Sequence, residues 1–190
     1  MIVSIGTEVY VTLAKGPLTT SESSGLPLPG HLIIINIAHT PTTTESETAE
    51  FSDYSSRLTK FFSEKGCDTV MWEIRHSEGI HAHRQVVAVP KGKDLEDDFV
   101  KGFAERNMSL EKREPGESEE YCCVTLPSGS YIATLPQRFD LQLPRRILAK
   151  VLGLEERAEW RSCIQAPEKE AADGMTFRNA FEEAEVLPSE

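Results

Sequence analysis

Gly79-Ile80-His81-Ala82-His83-Arg84-Gln85-Val86-Val87-Ala88-Val89-Pro90 is the stretch whose conformation decides the fold. Side chains of a β-strand alternate between two faces, so a strand here puts His81, His83 and Gln85 in one row and Ala82, Arg84 and Val86 in the other. The β-branched Val86, Val87 and Val89 favour that conformation, and Pro90, lacking an N–H, ends the hydrogen-bonded part. Three readings of the row remain open: a solvated polar face, a metal pair, or a site for chemistry. A tetrahedral metal set needs more ligands than His81 and His83, and no Cys, Asp or Glu cluster lies nearby, so no metal is expected. For chemistry, a neutral imidazole can attack an electrophilic phosphorus and later depart, splitting one displacement into two. Neighbours two positions away would orient it and donate to the phosphoryl oxygens; Gln85 can donate but cannot titrate.

Upstream, Ser77 to Gly79 offer backbone amides to a phosphate or leaving group. His31 and His39 flank an apolar strand, His31-Leu32-Ile33-Ile34-Ile35-Asn36-Ile37, and an adjacent strand can bring one of them beside the nucleotide. The plain alternative for each is a solvated histidine at a strand end. Arg75, His76, Arg84, Lys91 and Lys93 are a candidate positive rim for phosphate. Arg138, Arg145, Arg146, Lys150, Arg157 and Arg161 read as a solvated helix face ahead of an RNA contact. Cys67, Cys122, Cys123 and Cys163 have neither disulfide nor zinc spacing and no activating base, so they are expected to pack, in a reducing nuclear or cytoplasmic compartment.

Working outward, Ile2 to Gly6 and Glu8 to Leu13 read as two strands around a Gly-Thr turn, and a chain opening inside a sheet suggests a piece of a longer protein or a gene model that begins late. Lys15 to Gly30, rich in Gly, Pro, Ser and Thr, reads as a long surface loop. Thr44 and Glu47 have capping-box spacing ahead of a stripe formed by Phe51, Tyr54, Leu58, Phe61 and Phe62, with Gly66 as the stop. Val70 to Arg75 is a further strand. Beyond Pro90, Asp94 is expected to cap a short helix carrying Leu95, Phe99 and Phe103, and Ser109 to Glu120 is aperiodic loop. Tyr121 to Leu126 and Tyr131 to Leu135 form a hairpin through Pro127-Ser128-Gly129. Pro144 and Gly153 bracket a helix, and Pro167 opens a last one with Phe177, Ala180, Phe181 and Ala184 on one face. This order predicts an α+β fold: an antiparallel sheet with helices over residues 1–92, then a smaller α+β second domain over 93–190.

Of the 190 residues, 39% are hydrophobic, enough for a core. The net charge of −11 argues against binding nucleic acid through overall charge, though not against a local basic groove. The longest apolar run, Leu32 to Ile35 with Ile37, is strand-sized, and neither a membrane span nor a secretory signal is visible.

The same residues resemble the histidine-triad superfamily. Gly30-His31-Leu32-Ile33-Ile34, with His39 beyond, looks like its glycine-histidine, apolar strand, histidine element, and His81-Ala82-His83-Arg84-Gln85-Val86-Val87 looks like its signature. Glutamine replaces the third histidine, as in the galactose-1-phosphate uridylyltransferase branch. The resemblance implies that His83 is the nucleophile, His81 its supporting partner and Gln85 the phosphate-binding substitute; the replacement bears on hydrolysis more than on nucleotide binding. Ser4-Ile5-Gly6 with Val9-Tyr10, Lys15-Gly16-Pro17-Leu18, Phe139 to Leu152, Trp160-Arg161-Ser162-Cys163 and Phe177-Arg178 further resemble the two consecutive C-terminal domains of the CwfJ family. Its Cys-Trp-Phe-Cys-like opening segment is missing here, and Ala88 stands where the family commonly has proline. What the resemblance implies is an RNA-processing factor of the nucleus, and also the cytoplasm, working with lariat or branched intron RNA, the lariat debranching enzyme and spliceosomal proteins. A nucleotidyl hydrolase or transferase built on His83, and a protein scaffold with a relic site, are the alternatives. No cofactor is implied.

Overall fold

The structure, a computed structural model, describes residues 1–23, 25–26, 28–76, 81–116 and 119–186. Among the described residues seven strands form one sheet: β1 (Ile2–Ile5), β2 (Val9–Leu13), β3 (His31–Asn36), β4 (Cys67–Arg75), β5 (His83–Pro90), β6 (Tyr121–Leu126) and β7 (Gly129–Thr134). Their spatial order is β1-β2-β3-β5-β4-β6-β7, and every pairing is antiparallel. The protein is therefore mixed α+β, as its sequence predicts. β5 sits in the middle, with Ile35 opposite His83 and Ile33 opposite Gln85 on one side, and Trp72 opposite Gln85 on the other. β6 and β7, which follow residue 92, extend the same sheet from the outer side of β4.

One face carries α1 (Glu45–Glu64) and α4 (Pro167–Val186). Their aromatic stripes, Phe51, Tyr54, Phe61 and Phe62 from α1 and Phe177 and Phe181 from α4, bury against Val11, Leu32, Ile34, Met71 and Val86. The other face carries α2 (Glu96–Ala104) and α3 (Leu143–Leu152), over Val70, Trp72, Val87, Val89, Cys122 and Val124. Two short 3-10 turns, Glu155–Arg157 and Trp160–Cys163, lead from α3 towards α4.

Local chemistry sets most boundaries. Thr44 Oγ1 accepts from the Glu47 N–H (3.1 Å) and the Glu47 carboxylate accepts from the Thr44 N–H (2.6 Å), satisfying two otherwise orphaned donors of α1. Thr44→Ala is expected to cost about 1 kcal/mol, read as a lower urea midpoint at unchanged slope. Pro144 in the first turn of α3 and Gly153 in the left-handed conformation just past it (φ 69°) explain that helix's limits. Asp94 does not cap α2: Leu95 holds the N-cap position, and no side chain bonds there, because it is Leu95 that the helix needs to bury.

The Lys15 to Gly30 segment is not the surface loop its composition suggests. Leu18, Thr19, Thr20, Leu26 and Leu28 are buried, and the Pro17 and Leu18 carbonyls accept from Arg157 Nη2 (2.7 Å) and Nε (2.8 Å). A long-range guanidinium supplies bonds that a buried loop cannot find locally. A Cβ on Gly16 would lie 2.0 Å from the Trp160 carbonyl oxygen, so only glycine lets the loop meet the second 3-10 turn.

Candidate functional site

A cavity of about 300 Å³ opens where β3, β4 and β5 meet the 14–16 segment, the start of α3 and Trp160. His83 and Gln85 line it together from β5, His31 and Ile33 from β3, and Trp72, Glu73 and Ile74 from β4. Leu141, Gln142, Arg145 and Trp160, all from the C-terminal half, form the remaining wall. The alternation expected for β5 thus brings His83 and Gln85 onto one hollow.

The hydrogen bonds dictate what each group presents. The Leu18 N–H donates to His31 Nδ1 (2.9 Å), so that nitrogen carries no proton and the other, Nε2, must. His31 Nε2–H then donates to Gln85 Oε1 (2.7 Å), leaving the Gln85 NH2 as a donor for the cavity. His31 is 1% exposed, and burial, aided by the Arg145 charge, lowers its pKa to about 3. It is a neutral orienting group rather than the solvated histidine of a strand end.

His83 Nδ1–H donates to the His81 carbonyl (2.7 Å), which leaves the Nε2 lone pair unengaged among the described residues. Burial is the main cause lowering the His83 pKa, so the ring is neutral at pH 7 and nucleophilic in character. His81 therefore supports His83 through its backbone. Its own ring donates from Nε2 to the Asn36 carbonyl (2.6 Å) and stacks on His39, with centroids 4.2 Å apart. His39 is exposed, has φ 51°, and lies outside the cavity lining. Ser77 and Gly79 lie outside the described residues.

Arg84 points to the opposite face. Its Nε and Nη2 donate to Glu73 Oε2 (2.9 and 2.7 Å) and its Nη1 to Ser55 Oγ (2.8 Å), so its charge is already matched. There it lines a smaller cavity of about 150 Å³ with Arg75 and Tyr121. Lys91 and Lys93 bond the Ser63 and Val151 carbonyls beyond the far end of β5 and form no rim to the larger cavity. The adjacent thiols of β6 are inert in character: burial pushes Cys122 well above its ordinary range and Cys123 up to about 11. Among the described residues no group of three or more His, Cys, Asp or Glu is placed to hold a metal ion, and no helix is long and apolar enough to cross a membrane.

The residue that sequence reasoning missed is Arg145. It belongs to the run read as a solvated face, yet it is 5% exposed in the first turn of α3. Its Nε donates to the Arg157 and Ala158 carbonyls (3.2 and 3.0 Å), and its Nη2 to the Arg157 carbonyl (2.7 Å) and Cys163 Sγ (3.6 Å). Two arginines within one helical and 3-10 segment look alike in sequence whether solvated or buried; the only hint was their proximity to Pro144 and Trp160.

Residues 1–100 match the family described as "Protein similar to CwfJ C-terminal", and residues 80–185 match "Protein similar to CwfJ C-terminus 2". The chain is 36% identical over 196 residues to the CWF19-like protein mug161 of Schizosaccharomyces pombe, covering 95% of this chain and 35% of that protein. It is 30% identical over 226 residues to the CWF19-like protein DRN1 of Saccharomyces cerevisiae, covering 100% of this chain and 44% of that one. It is also 30% identical over 207 residues to Zinc finger CCCH domain-containing protein 59 of Oryza sativa subsp. japonica, covering 96% and 32%. The chain spans less than half the length of these relatives.

Proposed function

Because this chain belongs to the CwfJ family, with both of its C-terminal regions in consecutive order, we propose that it is an RNA-processing accessory factor that holds the phosphate of an RNA end, branch or nucleotide in the β5 cavity. Its role is then to assist intron-lariat debranching and turnover or spliceosome function, in the nucleus, with the lariat debranching enzyme and spliceosomal proteins as partners. The observation that supports this most is the pairing of a Gln85 NH2 donor with an unprotonated His83 Nε2 on one hollow walled by Trp72 and Trp160. Apolar and aromatic walls with a few convergent polar groups are what a nucleotide needs. With a net charge of −11, recognition rests on this hollow rather than on the field of the whole chain.

The His83 tautomer favours a second reading, a nucleotidyl hydrolase or transferase. His83 Nε2 would form an N–P bond as the P–O bond to the leaving group breaks, and water would later cleave the N–P bond and return the neutral imidazole. Gln85 would donate to the oxygens on which charge accumulates.

Titration with branched RNA, linear RNA and mononucleotides, each with and without the debranching enzyme, tests both readings. Binding without turnover, with debranching enhanced, is the expected result. A nucleotide trapped on the protein, acid-labile and lost in His83→Ala, is the outcome that would move the assignment to the enzyme. No binding of any probe leaves a scaffold and overturns both.

A further inference from the structure

The C-terminal half supplies more than a wall. Arg145 is 5% exposed, its Nη1 has no acceptor among the described residues, and no described carboxylate lies within 4 Å of its guanidinium. The bonds made by its Nε and Nη2 go to neutral carbonyls and a sulfur, which hold the group in place without matching its charge. It also stands in the first turn of α3, where the helix dipole favours an anion and disfavours a cation. A second guanidinium, Arg157, is near enough to oppose its charge, while Cys163 and, from beyond ion-pair distance, the Glu159 carboxylate favour it. Burying a cation with no carboxylate in contact is costly, and an anion brought into the hollow would offset that cost. The charge is aimed at the hollow: Arg145 lines it, and its field is felt at His31, the residue that orients Gln85.

Beside it lies a second unmet demand. Gln142 lines the same cavity, and its Oε1 is buried without a hydrogen-bond partner among the described residues. An orphaned acceptor asks for a hydroxyl or amine donor. An anion for Arg145 and a hydroxyl for Gln142, between Trp72 and Trp160, together describe a phosphorylated sugar carrying a flat ring.

We propose that Arg145 is the phosphate-binding cation of the β5 cavity, contributed by the C-terminal half to a site whose other groups come from the N-terminal half, and that with Gln85 it holds the phosphate of a single nucleotide unit whose sugar hydroxyl meets Gln142. The proposal rests on the nucleotide-phosphate reading above and adds the residue that makes it charge-selective. Arg145 and Gln85 then grip the phosphoryl oxygens from two sides, leaving the phosphorus open to His83.

Calorimetric titrations of the chain with inorganic phosphate, the four nucleoside 5′-monophosphates and the matching nucleosides provide the test. Arg145→Gln is expected to weaken monophosphate binding at least 30-fold, to abolish phosphate binding, and to leave nucleoside affinity unchanged. Arg145→Lys, which keeps the charge but not the planar fork, should fall between. Because Arg145 also ties down the 3-10 turns, the wild type is followed in parallel by nitrogen-15 spectra of its arginine side chains. The Arg145 Nη signals should shift and sharpen on adding phosphate, and an unmoved signal overturns the proposal whatever the variants do. Equal monophosphate affinity in wild type and Arg145→Gln also overturns it. If the wild type binds RNA but neither phosphate nor monophosphates, the role of Arg145 fails while the RNA reading stands. If phosphate binds through Arg145 but nucleotides and RNA bind no tighter, Arg145 stands and the nucleotide reading fails.

Discussion

Taking the protein from pH 7 to pH 4 is expected to remove roughly 3 kcal/mol of folding stability through His31. The folded pKa is lowered from 6.5 to about 3, with burial the largest cause. In the unfolded chain His31 takes up a proton as the pH falls through 6.5, whereas in the fold it stays neutral until about 3. The unfolded state therefore binds more protons throughout that window. Stability is fully present above pH 6.5 and is lost progressively as the pH falls to about 3, at roughly 1.4 kcal/mol per pH unit. His83, also lowered mainly by burial, adds in the same direction. The interval from 6.5 to 5 isolates the histidines, since Glu119, held down to about 2 by Arg113, Thr134 and the Gly116 amide, releases its contribution in stronger acid.

Urea midpoints across that interval measure the slope, and His31→Gln, which cannot titrate, should flatten it. A variant as pH-sensitive as the wild type would refute the assignment. There is a functional side to the same equilibrium. In the folded chain His31 stays neutral until about pH 3 and keeps its Nε2–H on Gln85 Oε1, so phosphate binding through the Gln85 NH2 should hold over the interval in which stability falls.

Phe177→Ala is expected to destabilise the fold by about 3–5 kcal/mol. Phe177 is fully buried, with its ring centroid 5.3 Å from Phe61, 5.8 Å from Phe62 and 6.0 Å from Phe181, so truncation leaves a hole lined by three rings that cannot collapse onto it. A chain of this size loses about 2–4 °C of melting temperature per kcal/mol, so the shift should be on the order of 10 °C. The effect has an informative partner. Ending the chain after residue 100 removes α4, β6, β7 and α3, uncovers Phe61 and Phe62 and leaves the edge of β4 unpaired. Such a fragment should show no cooperative melting transition. A sharp transition would mean that the N-terminal half folds alone and that α4 only decorates it.

Much of the fold was legible in the sequence. The capping pair Thr44 and Glu47, the helix bracketed by Pro144 and Gly153, and the hairpin at Pro127 are where local chemistry and the final structure agree. The hairpin turn is one residue tighter than expected, with Gly129 already paired to Leu126. Asp94 was misread because a good capping residue sits next to a leucine whose burial matters more. The Lys15 to Gly30 segment was misread because composition reports a loop but not what covers it, and here Arg157 and Trp160, more than a hundred residues away, do so. Around the hollow, the shared face of His83 and Gln85 was legible and the burial of Arg145 was not.

The sequence by itself determined that His83 and Gln85 share a face of a strand, because the two-residue period of a β-strand is local and cannot be altered without slipping the register. Only the tertiary structure decided that His31 is neutral and turns Gln85, that His81 serves through its carbonyl, and that Arg145 is buried against the same hollow. Protonation state and charge compensation depend on what long-range packing removes from water, and an arginine in a helix carries no local mark of whether solvent or a ligand will meet its charge.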